Sequence, residues 1–291
     1  MTPRTADRVT PLLLQRIKAL FRPLPRALAG GEEDLHQMRV AARRLRVAIP
    51  LLARKASGRR VRRTERVLRG LSRTGGLSRD LDVGVALLDA ELARIGLTPE
   101  RRILRRRLVA ARLRGRTRMA EALLDLEIAR LRRDLRVLTR SADGFFAVSR
   151  RLREARAAVG TALLATVAAL GDRFEPAELH RVRRQVRRLR YAGEVSAALR
   201  GQPAPAGGEV RTLQDQLGGL HDSYVLSAWF ARQAASCAAR GDAAIAREAK
   251  AMHALFLMAA QAQHREFLAL QPSELISRAL AAMSGQSRPA A

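Results

Sequence analysis

The sequence predicts an all-α fold, a helical bundle built from two similar multi-helix repeats. Apolar residues recur every three or four positions along almost all of the 291 residues, as on the buried faces of helices. Aromatic residues make up only 3%, and the remaining Leu, Val and Ala favour helices over sheets. Residues 34–46 read DLHQMRVAARRLR, and residues 178–190, 144 positions later, read ELHRVRRQVRRLR. This internal repeat predicts the two halves.

Start signals divide the periodic pattern into ten or eleven helices. GGEED at 30–34 places three acids where the free N–H groups of a helix N-terminus favour negative charge. LTPE at 97–100 offers Thr98 as an N-cap and Pro99 in the first turn. FEPAE at 174–178 places a proline and a glutamate just before the second repeated segment. Each signal predicts that a long helix begins there.

Stop signals separate these helices. SADG at 141–144 breaks the pattern near the middle of the chain, where we expect the two halves to meet. RGQPAPAGGE at 200–209 contains two prolines and three glycines and predicts a loop. SGQSRPAA at 284–291 predicts a disordered tail.

The charge of the chain predicts an anionic partner. Lys plus Arg is 55 against 27 Asp plus Glu, a net charge of +28. Only Lys18, Lys55 and Lys250 are lysines, so arginine supplies nearly all of the positive charge. A GC-rich genome would favour arginine over lysine but would not produce the net charge. A protein this basic repels itself unless an anion accompanies it, and the guanidinium fork binds phosphate oxygens in pairs.

Other features predict a soluble cytoplasmic protein without a membrane segment. Cys237 is the single cysteine, so no disulfide can form within the chain. The N-terminal residues lack the apolar core of a signal peptide. The longest uncharged stretch, 157–171, has 15 residues, fewer than a spanning helix needs.

The repeated segments predict two stripes of basic side chains. At roughly 100° per residue, a histidine and the arginines three, seven and ten positions later lie on one side of each helix. An apolar face lies beside each stripe, and no acid interrupts either segment after its first leucine. Such a like-charge stripe destabilises a bare helix unless an anion binds among its members. The members are His36, Arg39, Arg43 and Arg46, and His180, Arg183, Arg187 and Arg190.

Two further arginines flank these stripes. Arg44 and Arg188 lie about 80° to the other side of each histidine. They are interpreted either as the rim of an anion site or as ordinary surface charges.

A second pair of matching segments follows the stripes, at residues 71–83 and 213–225. Each contains a glycine, Gly76 or Gly218, which we expect to end a helix. An aspartate follows four residues later, Asp80 or Asp222, which would cap the next helix. The alternative is that these acids orient the arginines or His221.

Together, LHQMRVAARRLR, LHRVRRQVRRLRYAGE, GGLSRDLDV and LGGLHD resemble the CHAD family, the conserved histidine α-helical domain. The resemblance covers about residues 10–270. It implies two helical repeats related by a pseudo-twofold axis, with basic helices lining a central groove or pore. It also implies binding of inorganic polyphosphate and association with polyphosphate granules. The eight stripe residues would line the pore.

The resemblance implies a single domain over residues 1–283, with repeats at about 10–140 and 145–270. One departure is Gly75, where the family usually has leucine. We expect it to loosen a helix end without touching the pore. The predicted function is non-catalytic polyphosphate binding in the cytoplasm at granules, with no cofactor and no metal.

Three alternatives remain open. A nucleic-acid-binding protein fits the charge, but the few aromatics do not alternate with arginines as in single-strand binders, so only nonspecific binding is expected. A phosphate-processing enzyme would need carboxylates to hold a metal, and Asp80, Asp82 and Asp222 have no distinctive spacing. The third alternative is an arginine-rich scaffold that binds acidic proteins. Such a scaffold would not require the same spacing of histidine and arginines in both halves of the chain.

Overall fold

The computed structural model describes residues 8–202 and 208–284, and these are helical almost throughout. The predicted all-α fold is confirmed: within the described ranges the β-pairing amounts to one isolated bridge between Ala53 and Ala142. The helices are α1 Val9–Phe21, α2 Leu24–Leu28, α3 Glu32–Leu52, α4 Arg59–Ile95, α5 Pro99–Leu124, α6 Ile128–Arg140, α7 Phe145–Leu170, α8 Pro176–Arg200, α9 Glu209–Ala238, α10 Ala243–Ala269 and α11 Pro272–Ser284.

The start signals are confirmed where the structure tests them. Helix α3 begins at Glu32 and carries all three acids in its first turn. The Thr98 hydroxyl accepts a hydrogen bond from the Arg101 backbone N–H at 3.2 Å, and Pro99 is the first residue of α5. Pro176 is the first residue of α8. The Thr98 hydroxyl pairs one of the free N–H groups of its first turn, and a proline in a first turn has no N–H that would need a partner.

The stop signals also fall between helices. Helix α6 ends at Arg140 and α7 begins at Phe145, on either side of SADG. Helix α8 ends at Arg200 and α9 begins at Glu209, although residues 203–207 of this loop lie outside the described residues. Residues 285–291 of the expected tail also lie outside them.

The expected helix ends at Gly76 and Gly218 are wrong. Helix α4 runs through Gly76 and α9 runs through Gly218 without interruption. Asp80 and Asp222 are therefore interior helix residues and not N-caps. Glycine costs a helix only about 1 kcal/mol, which the packing of two long helices readily offsets.

The helices that carry matching segments meet each other. Helix α3 packs against α8, and α4 packs against α9. The apolar faces predicted beside the stripes are buried: Met38, Ala42, Leu45, Ile49 and Leu52 on α3, and Val182, Val186 and Leu189 on α8.

Three apolar clusters hold these helices. One lies mainly among α1, α3, α4 and α6, and a second lies among α7, α8, α9 and α11. The third joins α4 and α5 to α9 and α10, so its side chains come from both halves of the chain. Of the helices described, none combines the length and apolarity that crossing a membrane would require.

Candidate anion-binding site

The basic stripes of α3 and α8 come together where these two helices pack. Burial, followed by the positive charge of Arg43 and a smaller effect of Arg183, lowers the pKa of Arg39 to about 10. Burial, followed by the charges of Arg183, Arg43 and Arg39, lowers the pKa of Arg187 to about 9. Each shift includes the field of a guanidinium on the other half. Arg39, Arg43, Arg183 and Arg187 therefore form one group.

Helices α4 and α9 also contribute residues to this group. Arg79 on α4 lies close enough to contribute to the lowered pKa of Arg39. His221 on α9 lies beside Arg183, and their proximity is among the causes that lower the pKa of His221. Arg79 and His221 occupy matching positions in the two trailing segments. We define the arginine cluster as Arg39, Arg43, Arg79, Arg183 and Arg187.

The arginine cluster lacks acid partners within the described part of the chain. None of its five guanidinium groups forms an ion pair or a side-chain hydrogen bond there. Arg39 is only 5% exposed. The Nε atoms of Arg39 and Arg183 are buried without a hydrogen-bond partner. A buried, unpaired charge is costly, and an anion bound among the guanidinium groups would remove that cost.

Many arginines elsewhere have acid partners. Arg63 binds Asp134 with two hydrogen bonds of 2.5 and 2.6 Å. On α5, Arg105 pairs with Asp89 at 2.6 Å and Arg101 pairs with Glu248 at 2.7 Å. These arginines differ from the arginine cluster, whose guanidinium groups form no ion pair among the described residues.

Two aspartates face the arginine cluster at a longer distance. Burial raises the pKa of Asp80, while Arg39 and Arg183 oppose this shift. Burial likewise raises the pKa of Asp222, against the opposing field of Arg183. With both carboxylates ionised, five positive and two negative charges leave the group with a net charge of +3. The two acids therefore act on the arginine cluster through their charge, without an ion pair or side-chain hydrogen bond to it among the described residues.

Three histidines border the arginine cluster. The rings of His180 and His221 lie 4.9 Å apart. His36 is exposed to solvent. Burial and then Arg183 lower the pKa of His221 to about 3. Desolvation lowers the pKa of His180 and of His36, and neighbouring arginines add to both shifts. All three rings are therefore neutral at pH 7 and can donate a hydrogen bond to a phosphate oxygen.

The remaining stripe and rim residues separate into two environments. Arg46 and Arg188 line an open cavity of about 760 Å³, which Arg43 and Arg187 also line. Arg44 instead pairs with the buried Glu194, Nε to Oε2 at 2.9 Å, and it does not line this cavity. Arg190 lies 3.9 Å from a Glu194 oxygen and over the Tyr191 ring. Arg44 is therefore paired within the fold and is not assigned to the anion-binding site.

Gly75 lies against the arginine cluster, so the expectation that it would not touch the basic site is wrong. A Cβ atom on Gly75 would lie 2.5 Å from Arg39 Cδ and 2.8 Å from Arg39 Cγ. The missing side chain makes room for the Arg39 stem beside α4.

Sequence reasoning missed Arg79 as a member of the site, and it favoured a capping role for Asp80 and Asp222 over the alternative that they orient the arginines or His221. The signal was present, because the trailing segments align with an offset of 142 and place Arg79 opposite His221. A histidine and an arginine at matching positions do not look like a repeat, and only the packing of α4 and α9 shows that both face the arginine cluster.

Comparisons with known proteins identify the family. The model of the CHAD domain matches residues 12–231. No curated protein matches the chain. The fold resembles that of PptA from Streptomyces chartreusis, at 20% identity and a TM-score of 0.63, covering 96% of this chain and 99% of that one.

It also resembles the crystal structure of the CHAD domain from the plant Ricinus communis. The identity is 24% and the TM-score is 0.56, with coverage of 97% of this chain and 92% of that one. At these identities the two structures support the fold, and the family follows from the match to its model. The chain therefore belongs to the CHAD domain family, which is known to bind inorganic polyphosphate.

Proposed function

We propose that this protein binds inorganic polyphosphate, without catalysis, through the arginine cluster. The observation that carries the proposal is that the arginines of two repeated segments converge from both halves and have no acid partner among the described residues. Five guanidinium groups without an ion pair among the described residues, one of them buried and four partly buried, would attract an anion of high charge.

The chemistry of the site suits a polyanion that carries no base. Each guanidinium presents two parallel N–H donors to phosphate oxygens. The neutral rings of His36 and His180 would donate further hydrogen bonds without adding to the repulsion among the arginines. Of the two stripes, His36, Arg39, Arg43, His180, Arg183 and Arg187 are assigned to the phosphate site.

The cavity of about 760 Å³ provides a continuation of the binding path. Arg43 and Arg187 belong both to the arginine cluster and to the lining of this cavity. Arg46 and Arg188 lie further along it, so a chain of phosphates could extend from the arginine cluster into the cavity. Arg190, which lies beside Glu194 and over the Tyr191 ring, would make a minor contribution to polyphosphate binding.

A single domain of two repeats explains how one site is shared. Contacts between α3 and α8 and between α4 and α9, with a core drawn from both halves, support one domain over residues 1–283, with repeats at about 10–140 and 145–270. A pseudo-twofold arrangement would place each stripe opposite its counterpart. We further propose that the protein acts in the cytoplasm at polyphosphate granules, where this ligand is concentrated.

Nonspecific binding of nucleic acid is the second candidate, because the chain has a net charge of +28. Such binding uses phosphate contacts over the whole basic surface and falls steeply with salt. Nonspecific binding predicts that any two sets with the same number of exposed arginines contribute equally to the affinity.

Two matched variants test the proposal. One replaces Arg39, Arg43, Arg183 and Arg187 by Gln, and the control replaces Arg102, Arg106, Arg133 and Arg136, which are exposed, by Gln. Both lose four positive charges. We expect the first to weaken polyphosphate binding by about 100-fold or more and the control by less than about fivefold. Equal losses in two folded variants would contradict the site and favour diffuse charge.

A further inference from the structure

A second cavity lies between α4, α5 and α9, with a volume of about 700 Å³. Its lining is largely apolar and includes Leu81, Leu108, Met119, Leu226 and Trp229. All of these except the partly buried Leu81 are buried in the fold. Gly84, Ala111, Gly115 and Ala122 also line the cavity, and their small size leaves the space open. The volume is typical of sites that hold small organic molecules.

Four arginines surround the mouth of this cavity, and each is exposed: Arg73, Arg114, Arg118 and Arg232. In the described ranges none of the four has an acid partner. On the same helix as Arg114, by contrast, Arg101 and Arg105 are both paired with acids. The rim therefore presents positive charge that the protein itself does not neutralise, directly above an apolar interior.

The charges also set an orientation for a ligand. Asp80 also lines the cavity and is less exposed than the four arginines, and its negative charge would repel an anionic group placed beside it. The exposed guanidinium groups would attract the same group at the mouth. An apolar body inside and an anionic head at the rim satisfy both constraints.

We propose that this cavity binds a small amphipathic organic anion, with an alkyl body in the interior and a phosphate or carboxylate head on the rim arginines. None of the five arginines of the arginine cluster lines this cavity, although Asp80 borders both, and the proposal does not rest on polyphosphate binding. Inorganic polyphosphate is a poor occupant, because the apolar lining would remove water from its charges without replacing it.

The fluorescence of Trp229 reports binding, because it is the one tryptophan of the chain and it lines the cavity. The probes are octyl phosphate below its micellar concentration, inorganic phosphate and octanol. We expect octyl phosphate to shift the Trp229 emission and to bind at least about tenfold more tightly than either half-probe, because only it uses both the interior and the rim. Octyl carboxylate in parallel distinguishes the two head groups.

Two variants locate the site. Replacing Arg114 and Arg118 by Gln should weaken octyl phosphate binding by about tenfold. The control replaces Arg102 and Arg106, which are exposed on the same helix, and should change the affinity less than about twofold. Ala111→Phe should fill the cavity and abolish the Trp229 response while thermal unfolding stays cooperative.

Three results would overturn the proposal. One is equal binding of octanol and octyl phosphate, which would mean that the rim does not recognise the head group. Another is equal loss in the rim and control variants. The third is an unchanged Trp229 emission with self-association of the protein instead, which would make the cavity a contact between copies of the chain.

Discussion

Gly75 and Arg39 are packed so closely that a Cβ atom at position 75 would lie 2.5 Å from Arg39 Cδ. The Arg39 stem packs against α4 at Gly75, one of the four glycines of that helix, and its guanidinium belongs to the arginine cluster. The backbone of one helix thereby positions a binding residue of another.

Gly75→Ala should displace Arg39 and weaken polyphosphate binding by about fivefold, because one charge-assisted contact is lost or misplaced. The measurement is a polyphosphate titration of the variant. Gly218→Ala is the control, since a Cβ there meets no atom within 4 Å. It should stabilise α9 by about 0.5 to 1 kcal/mol and leave the affinity unchanged. If both variants bind alike, Arg39 is not positioned by Gly75.

Asp80→Asn and Asp222→Asn should each tighten polyphosphate binding, because each removes a negative charge that competes with the ligand. Neither change should lower the stability of the ligand-free protein at pH 7, because burial raises the pKa of both carboxyls and so disfavours their ionised forms in the folded state. Affinity and thermal unfolding are measured on the same samples. Weaker binding by either variant would mean that the acid orients the arginines in a way that the ligand requires.

Glu194 is expected to be a structural residue. It is buried and accepts hydrogen bonds from Arg16 at 3.2 Å and from Arg44 at 3.0 Å, which ties α8 to α1 and α3. Glu194→Gln should lower the free energy of unfolding by about 2 to 4 kcal/mol, because two arginines lose their counterion.

Arg44→Gln should also lower the stability, measured by urea denaturation, with less than about a twofold change in polyphosphate affinity. A large loss of affinity in a stable Arg44 variant would restore this residue to the rim of the site.

Polyphosphate affinity should increase as the pH falls from about 7.5 to about 5.5. Desolvation and neighbouring arginines lower the pKa of His36 and of His180 in the free protein, so both rings are neutral at the upper end. A bound polyanion favours the protonated ring and raises each pKa again, so binding takes up protons. Titration calorimetry in buffers of different ionisation enthalpy measures this uptake.

The double variant His36→Asn and His180→Asn is the control for the pH effect, and it should bind with little dependence on pH. His221, whose pKa is lowered to about 3, should contribute little in this range. An affinity that falls with decreasing pH, or proton release on binding, would show that the histidines do not contact the ligand.

Helical periodicity predicted much of the fold from the sequence, because the residues that decide it are local. The stripe of His36, Arg39 and Arg43 and the buried face beside it follow from 3.6 residues per turn. Thr98 and Pro99 marked the start of α5 for the same reason. In each case the controlling interactions lie within one or two turns.

The features that were missed depend on long-range packing. Helix α4 continues through Gly75 and Gly76, and Arg39, a residue of another helix, packs against it at Gly75. The pairing of Arg44 with Glu194 joins residues 150 positions apart, and nothing near Arg44 in the sequence indicates it. Propensity read along the chain therefore places a helix end where tertiary contacts hold the helix together.

Selectivity for polyphosphate over nucleic acids distinguishes a specific binding site from attraction by the overall positive charge of the protein. Labelled long-chain polyphosphate is bound to the protein at about 150 mM salt and displaced by duplex DNA or single-stranded RNA at equal phosphate concentration. If the arginine cluster is a polyphosphate site, the nucleic acids should displace the label only at concentrations about 100-fold higher than unlabelled polyphosphate. Displacement at equal concentrations would show that the arginines bind any phosphate backbone, and it would contradict the proposed function.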